Sequence, residues 1–130
     1  MDPEFIRELF GQFRPVTVRR MFSGAGIFCD GLMFGLIVRD VVYLKVDDSN
    51  VGDFEREGSA PFTSMRGRNK GGASEHALPY WRLPERLYDD PDELAVWAQR
   101  AFAIAERKKF ASHERARRKR PTKPRQSRQA

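Results

Sequence analysis

The single cysteine, Cys29, and the two histidines, His76 and His113, are the residues from which nucleophilic or metal chemistry would have to be built. A thiolate catalyst needs a base beside it. His76 stands in a glycine-rich loop and His113 in a charged tail, so neither is placed to activate Cys29, which reads as a small apolar residue of a strand. One cysteine and two distant histidines lack the ligand spacing of a zinc site. The acidic run "DDSNVGDFERE" (47–57) has the composition of a calcium loop, but Gly52 takes a ligand position and no glycine falls at the turn such a loop needs. It reads as a solvated connection. No catalytic residue, cofactor-binding residue or metal ligand is therefore expected, and the chain is expected not to be an enzyme.

The stretch "RRMFSGAGIFCDGLMFG" (19–35) holds four glycines among apolar residues and could cradle a phosphate. A P-loop needs a Lys-Ser or Lys-Thr after its glycines, and none follows. A dinucleotide fingerprint needs a third glycine opening a helix; Cys29 stands at that position and a strand follows. Without a helix N-terminus the backbone donors do not converge on an anion. The glycines read instead as turns and a sharp bend between strands. Phe62, Tyr80 and Trp81, near Arg66, Arg68 and Lys70, have the residue types of a base-stacking platform. The alternation of strands assigns Phe62 and one of Tyr80 and Trp81 to the core instead.

Charge is divided along the chain. Residues 106–130 hold 11 Lys/Arg against Glu106 and Glu114, net +9, while residues 1–105 hold 13 basic and 16 acidic residues, net −3. The basic character belongs to the tail, and the domain's composition gives no support to a nucleic-acid surface on the folded part. The candidate nucleic-acid residues are Arg115, Arg117, Arg118, Lys119 and Arg120, expected to hold phosphates without reading bases. The helix that carries them is expected to fray after about Phe110 and to give way to disorder after Pro121, because it has no apolar stripe to bury there.

The elements that position these residues follow from pattern. Asp2-Pro3 is a helix start, and Phe5, Ile6, Leu9, Phe10 and Phe13 form one face of about three turns ended by Pro15. Strands are expected over 16–22, 27–29, 32–38 and 41–46, with a tight hairpin at Asp30-Gly31 and a turn at Arg39-Asp40. In 32–38, alternation sets Leu32, Phe34, Leu36 and Val38 against Met33, Gly35 and Ile37. A short helical turn around Val51 and Phe54, strands over 60–65 and 77–83, and a loop over 66–75 follow. Asp90, Pro91 and Glu93 then open a second helix with a capping box, its buried stripe Leu94, Trp97, Ala98, Ala101, Ile104 and Ala105. The class is α+β: two layers, a mostly antiparallel five- or six-stranded sheet covered by an N-terminal and a long C-terminal helix. The domain is expected over residues 1–108 and the basic tail over 109–130.

Those motifs, "RRMFSGAGIFCDGLMFGLI" (19–37), "VYLKVDDSN" (42–50), "DFEREGSAPFTS" (53–64), "YWRLPE" (80–85) and "DPDELAVWAQRA" (90–101), resemble the N-terminal domain of the TfoX/Sxy family of bacterial competence regulators. The resemblance covers roughly residues 3 to 106, with the motifs in the family's order. It implies a two-layer α+β domain and a regulatory theme, and it brings no catalytic residues. Ser23 stands where the family usually has another glycine, the segment "RNKGGASEHA" is rearranged, and a basic tail occupies the place of the family's second, helical domain. The expectations are a non-enzymatic regulatory or adaptor domain in the cytoplasm, touching nucleic acid through its tail without sequence preference and meeting a protein partner or a second copy of itself through the outer sheet face, which includes Met33, Ile37 and Tyr43. The alternatives are a homodimeric or partner-binding interaction module with no nucleic-acid role, and a small-ligand or phosphate-binding domain using the Gly24–Gly26 bend and the Arg66–Lys70 loop. No apolar run approaches the roughly 18 residues of a membrane span.

Overall fold

The computed structural model describes residues 1–21, 24–64 and 76–119. Helix α1 (Pro3–Leu9) starts where the Asp2 carboxylate accepts from the Glu4 amide at 3.2 Å, and Pro3 occupies a position whose missing N–H costs nothing. It is shorter than the apolar pattern predicts: irregular turns carry the chain from Phe10 onward. Six strands follow the expected order, β1 (Thr17–Met21), β2 (Gly24–Cys29), β3 (Leu32–Val38), β4 (Val41–Lys45), β5 (Pro61–Ser64) and β6 (His76–Arg82), with α2 (Val51–Arg56) between β4 and β5. A 3₁₀ turn, Glu85–Asp89, precedes the long helix α3 (Pro91–Lys119). The pairings form one antiparallel sheet in the order β1-β2-β3-β4-β6-β5.

Both tight hairpins use positive φ. Asp30 and Gly31 adopt 50° and 79°, the pair of left-handed residues that a two-residue loop requires. Arg39 and Asp40 do the same without a glycine, at 51° and 63°.

Alternation fails once, and the failure reassigns a face. Between β2 and β3 the register shifts: Ile27 pairs with Gly35, whereas Phe28 pairs with Met33, so Phe34 is an extra residue on β3. Such a bulge reverses the faces beyond it. Phe34 and Ile37 therefore both point into the core, at 0% and 5% exposure, and Leu36 points out. This corrects the expected outward placement of Ile37.

The core lies between the sheet and all the helices. Phe34 sits at its centre, with the rings of Phe10, Phe13 and Phe102 at 5.6, 5.4 and 6.3 Å. A second aromatic group joins Phe54 of α2 to Trp97 of α3 at 4.8 Å and to Trp81 of β6 at 6.4 Å. The N-terminal cap of α3 forms as its sequence demands, with the Glu93 amide donating to the Asp90 carboxylate at 3.1 Å. The Glu93 carboxylate does not complete the box. It accepts instead from Arg86 and from the Trp97 indole, tying the 3₁₀ turn to α3.

Candidate functional site

Helix α3 divides at Ala105. Up to that point it presents Leu94, Trp97, Ala98, Ala101, Phe102, Ile104 and Ala105 to the interior. From Glu106 to Arg117 every side chain is exposed except the half-buried Glu114, and the helix continues to Lys119. At 1.5 Å per residue this makes an arm about 20 Å long beyond the last buried residue. The Arg107 guanidinium pins its root, donating to the Asp47 carboxylate at 3.1 Å and to Ser49 Oγ at 3.4 Å. Burial works to raise the Asp47 carboxyl, but hydrogen bonds from Ser49 and Arg107 outweigh it and hold the group below the usual carboxylate range.

Of the candidate nucleic-acid residues, Arg115 and Arg117 stand exposed on this arm. Arg117 is engaged by Glu114 at 2.9 and 3.1 Å, a pair one turn apart. Arg115 follows Lys108 by seven residues, which places them on one helix face. Arg118 and Lys119 continue the helix, and Arg120 lies outside the described residues. The helix continues nine residues past Phe110, to Lys119. The packed first half of α3 supplies the costly nucleus, and propagation through Ala, Arg, Lys and Glu is then cheap. The expected disorder beyond Pro121 also falls outside the described residues.

The glycine stretch is packed strand. Gly24 and Gly26 lie within β2, not in a bend, which corrects the sequence reading. A Cβ on Gly24 would lie 2.2 Å from the Ile37 carbonyl oxygen, so the close approach of β3 explains the glycine. A Cβ on Gly26 would meet the sulfurs of Met33 and Met21 at 2.6 and 2.8 Å and the Phe28 ring at 2.9 Å. Cys29 is buried; burial pushes its thiol up, against the lowering effect of Arg14 at 3.9 Å from Sγ. Among the described residues no three His, Cys, Asp or Glu side chains are grouped to hold a metal ion. The Arg66–Lys70 loop and the residues 22–23 before Gly24 lie outside the described residues.

The three aromatics of the supposed stacking platform separate. Trp81 faces the core with Phe54, and Tyr80 and Phe62 face the opposite side of the sheet. Phe62 thus leaves the core assigned to it, because Thr63 and Pro61, its neighbours on β5, take the other face. On the outer side Tyr43 meets Phe62 at 5.1 Å, the Arg19 guanidinium lies 4.8 Å from the centre of the Phe28 ring, and Lys45 Nζ lies 4.7 Å from that of Tyr80. Arg82 pairs across from Tyr43 on the same face. The sequence reading missed Arg19, Lys45 and Arg82 as a group, although their positions in the strands are legible once the register is known.

A helix-backed antiparallel sheet with a protruding basic helix and a buried cysteine defines a two-layer α+β domain. The TfoX N-terminal domain family matches residues 8–105, three quarters of the sequence, and the chain belongs to that family. The match ends where the core-facing stripe of α3 ends, so the basic arm lies beyond it. The family is a regulatory, competence-type domain. No curated protein matches the chain. Among the described residues no helix is long and apolar enough to cross a membrane.

Proposed function

We propose that the chain is a non-enzymatic regulatory adaptor of the cytoplasm that holds nucleic acid through the basic end of α3 without reading its sequence. The observation that carries this reading is the arm itself: a helix continuing past Ala105 with every cation from Arg107 to Arg117 exposed. Such a helix meets a duplex through phosphates, since Lys and Arg neutralise backbone charge at any sequence. The net −3 of residues 1–105 works against a second contact from the helical layer and its turns. Arg107, bound to Asp47, ties the root of the arm to the segment between β4 and α2.

Titrating two unrelated duplexes of equal length tests this. The full chain should bind both with the same affinity, and a chain truncated after Arg107 should bind neither. A preference for one duplex, or unchanged binding by the truncated chain, would overturn the proposal.

A further inference from the structure

The face of the sheet turned away from the helices combines apolar side chains with cations that form no ion pair among the described residues. None of the six strands contains an Asp or Glu, although residues 1–105 carry 16. Every acid of the described residues lies in a helix, a turn or a loop. Arg19, Lys45 and Arg82 share the outer face with Met33, Leu36 and Tyr43, by strand register. Met21, Phe28 and Met33 close over the buried Gly26, and methionines make a surface that adapts to what lies on it. Lys45 is half-buried, its Nζ donates to the Tyr80 hydroxyl at 3.2 Å, and desolvation lowers its pKa.

We propose that this face docks an acidic segment of a partner protein, one that sets aliphatic or aromatic side chains between its carboxylates. Charge complementarity selects the occupant. Three cations among apolar side chains attract carboxylates and reject a basic partner. A second copy of this chain, laid face to face, would bring the same cations together with no acid in either sheet to pair them, and burying unpaired charge is costly. Single-stranded nucleic acid would satisfy the cations but needs open ring faces for its bases. Arg19 lies over Phe28, Lys45 lies over Tyr80, and Tyr43 packs against Phe62. The rings are thus already engaged, while the exposed guanidiniums of Arg19 and Arg82 remain at hand for carboxylates. This site is separate from the basic arm of α3 and stands whether or not the arm binds nucleic acid.

The test uses the full chain, isotope-labelled, and a synthetic peptide alternating Asp or Glu with Leu or Phe. Amide and methyl shifts should move at Phe28, Met33, Leu36 and Tyr43. The double variant Arg19→Glu/Arg82→Glu should bind about tenfold more weakly, and Arg115→Ala/Arg117→Ala should bind as the parent does. Arg19 and Arg82 are exposed, so their reversal should leave the fold intact, which the unchanged core methyl spectrum would show. Shifts confined to the arm of α3, or equal binding by the sheet variant, would overturn the proposal. So would oligothymidylate shifting the same sheet residues, or self-association at micromolar concentration that Leu36→Lys abolishes.

Discussion

At the scale of the residue, the molecule turns two features that suggest chemistry into packing. Gly24 is required because a carbonyl oxygen of β3 occupies the space of its Cβ. Gly24→Ala should therefore destabilise the fold by about 2 kcal/mol, as overpacking against backbone does, whereas a phosphate-cradling loop would tolerate it in stability and lose a ligand. Thermal unfolding of the variant, with and without added phosphate, separates the two. Cys29→Ala should cost about 1 kcal/mol, the loss of one buried methylene-sized group. Its thiol, buried and with its pKa raised, should react with alkylating agents only on unfolding. Rapid labelling of the folded chain at neutral pH would refute the structural role. That Cys29 is a buried strand residue was legible in the sequence, from the apolar residues around it. That Gly24 and Gly26 sit inside a strand was not, because the reason for them is an atom of another strand.

At the scale of the element, local chemistry was readable and tertiary adjustments were not. The Asp30-Gly31 hairpin, the Asp2 cap and the Asp90 cap are set by residues adjacent in sequence. Asp90→Ala should cost about 1 kcal/mol, measured by denaturant unfolding. The bulge at Phe34 has no such local signal, so simple alternation misplaces Ile37. The 3₁₀ turn is likewise held from outside: Arg86 forks onto Glu57 at 2.7 Å and Glu93 at 2.9 Å. The Arg86 guanidinium holds the Glu57 and Glu93 carboxyls below their usual range, with the Trp97 indole assisting at Glu93. Both folded values lie below the unfolded ones. The pairing therefore stabilises the fold fully above the ordinary Glu value of about 4.3 and is lost as pH falls beneath it. Between about pH 6 and about pH 3.5 the parent should lose more stability than Arg86→Met, by denaturant unfolding at each pH. An equal loss would show that the network contributes nothing, the outcome for many exposed pairs.

At the scale of the whole molecule, charge is sorted by layer. Among the described residues the helices, turns and loops carry the acids, the charged side chains of the strands are cations, and the arm of α3 is basic. The division at residue 106 was plain in the sequence, because it follows the end of the apolar stripe. The second division, between the two faces of the sheet, needed the register. The apolar pattern of α3 shows where burial stops and not where a helix already nucleated stops growing.

The central claim, that this arm holds phosphates by charge alone, is tested most directly by the salt dependence of duplex binding. If about five phosphates are neutralised, log K against log salt should fall with a slope near −4.5 for the full chain. Arg115→Ala/Arg117→Ala should reduce the slope by about 2, one counterion per cation removed. No binding at low salt, or a slope unchanged in the variant, would contradict the account.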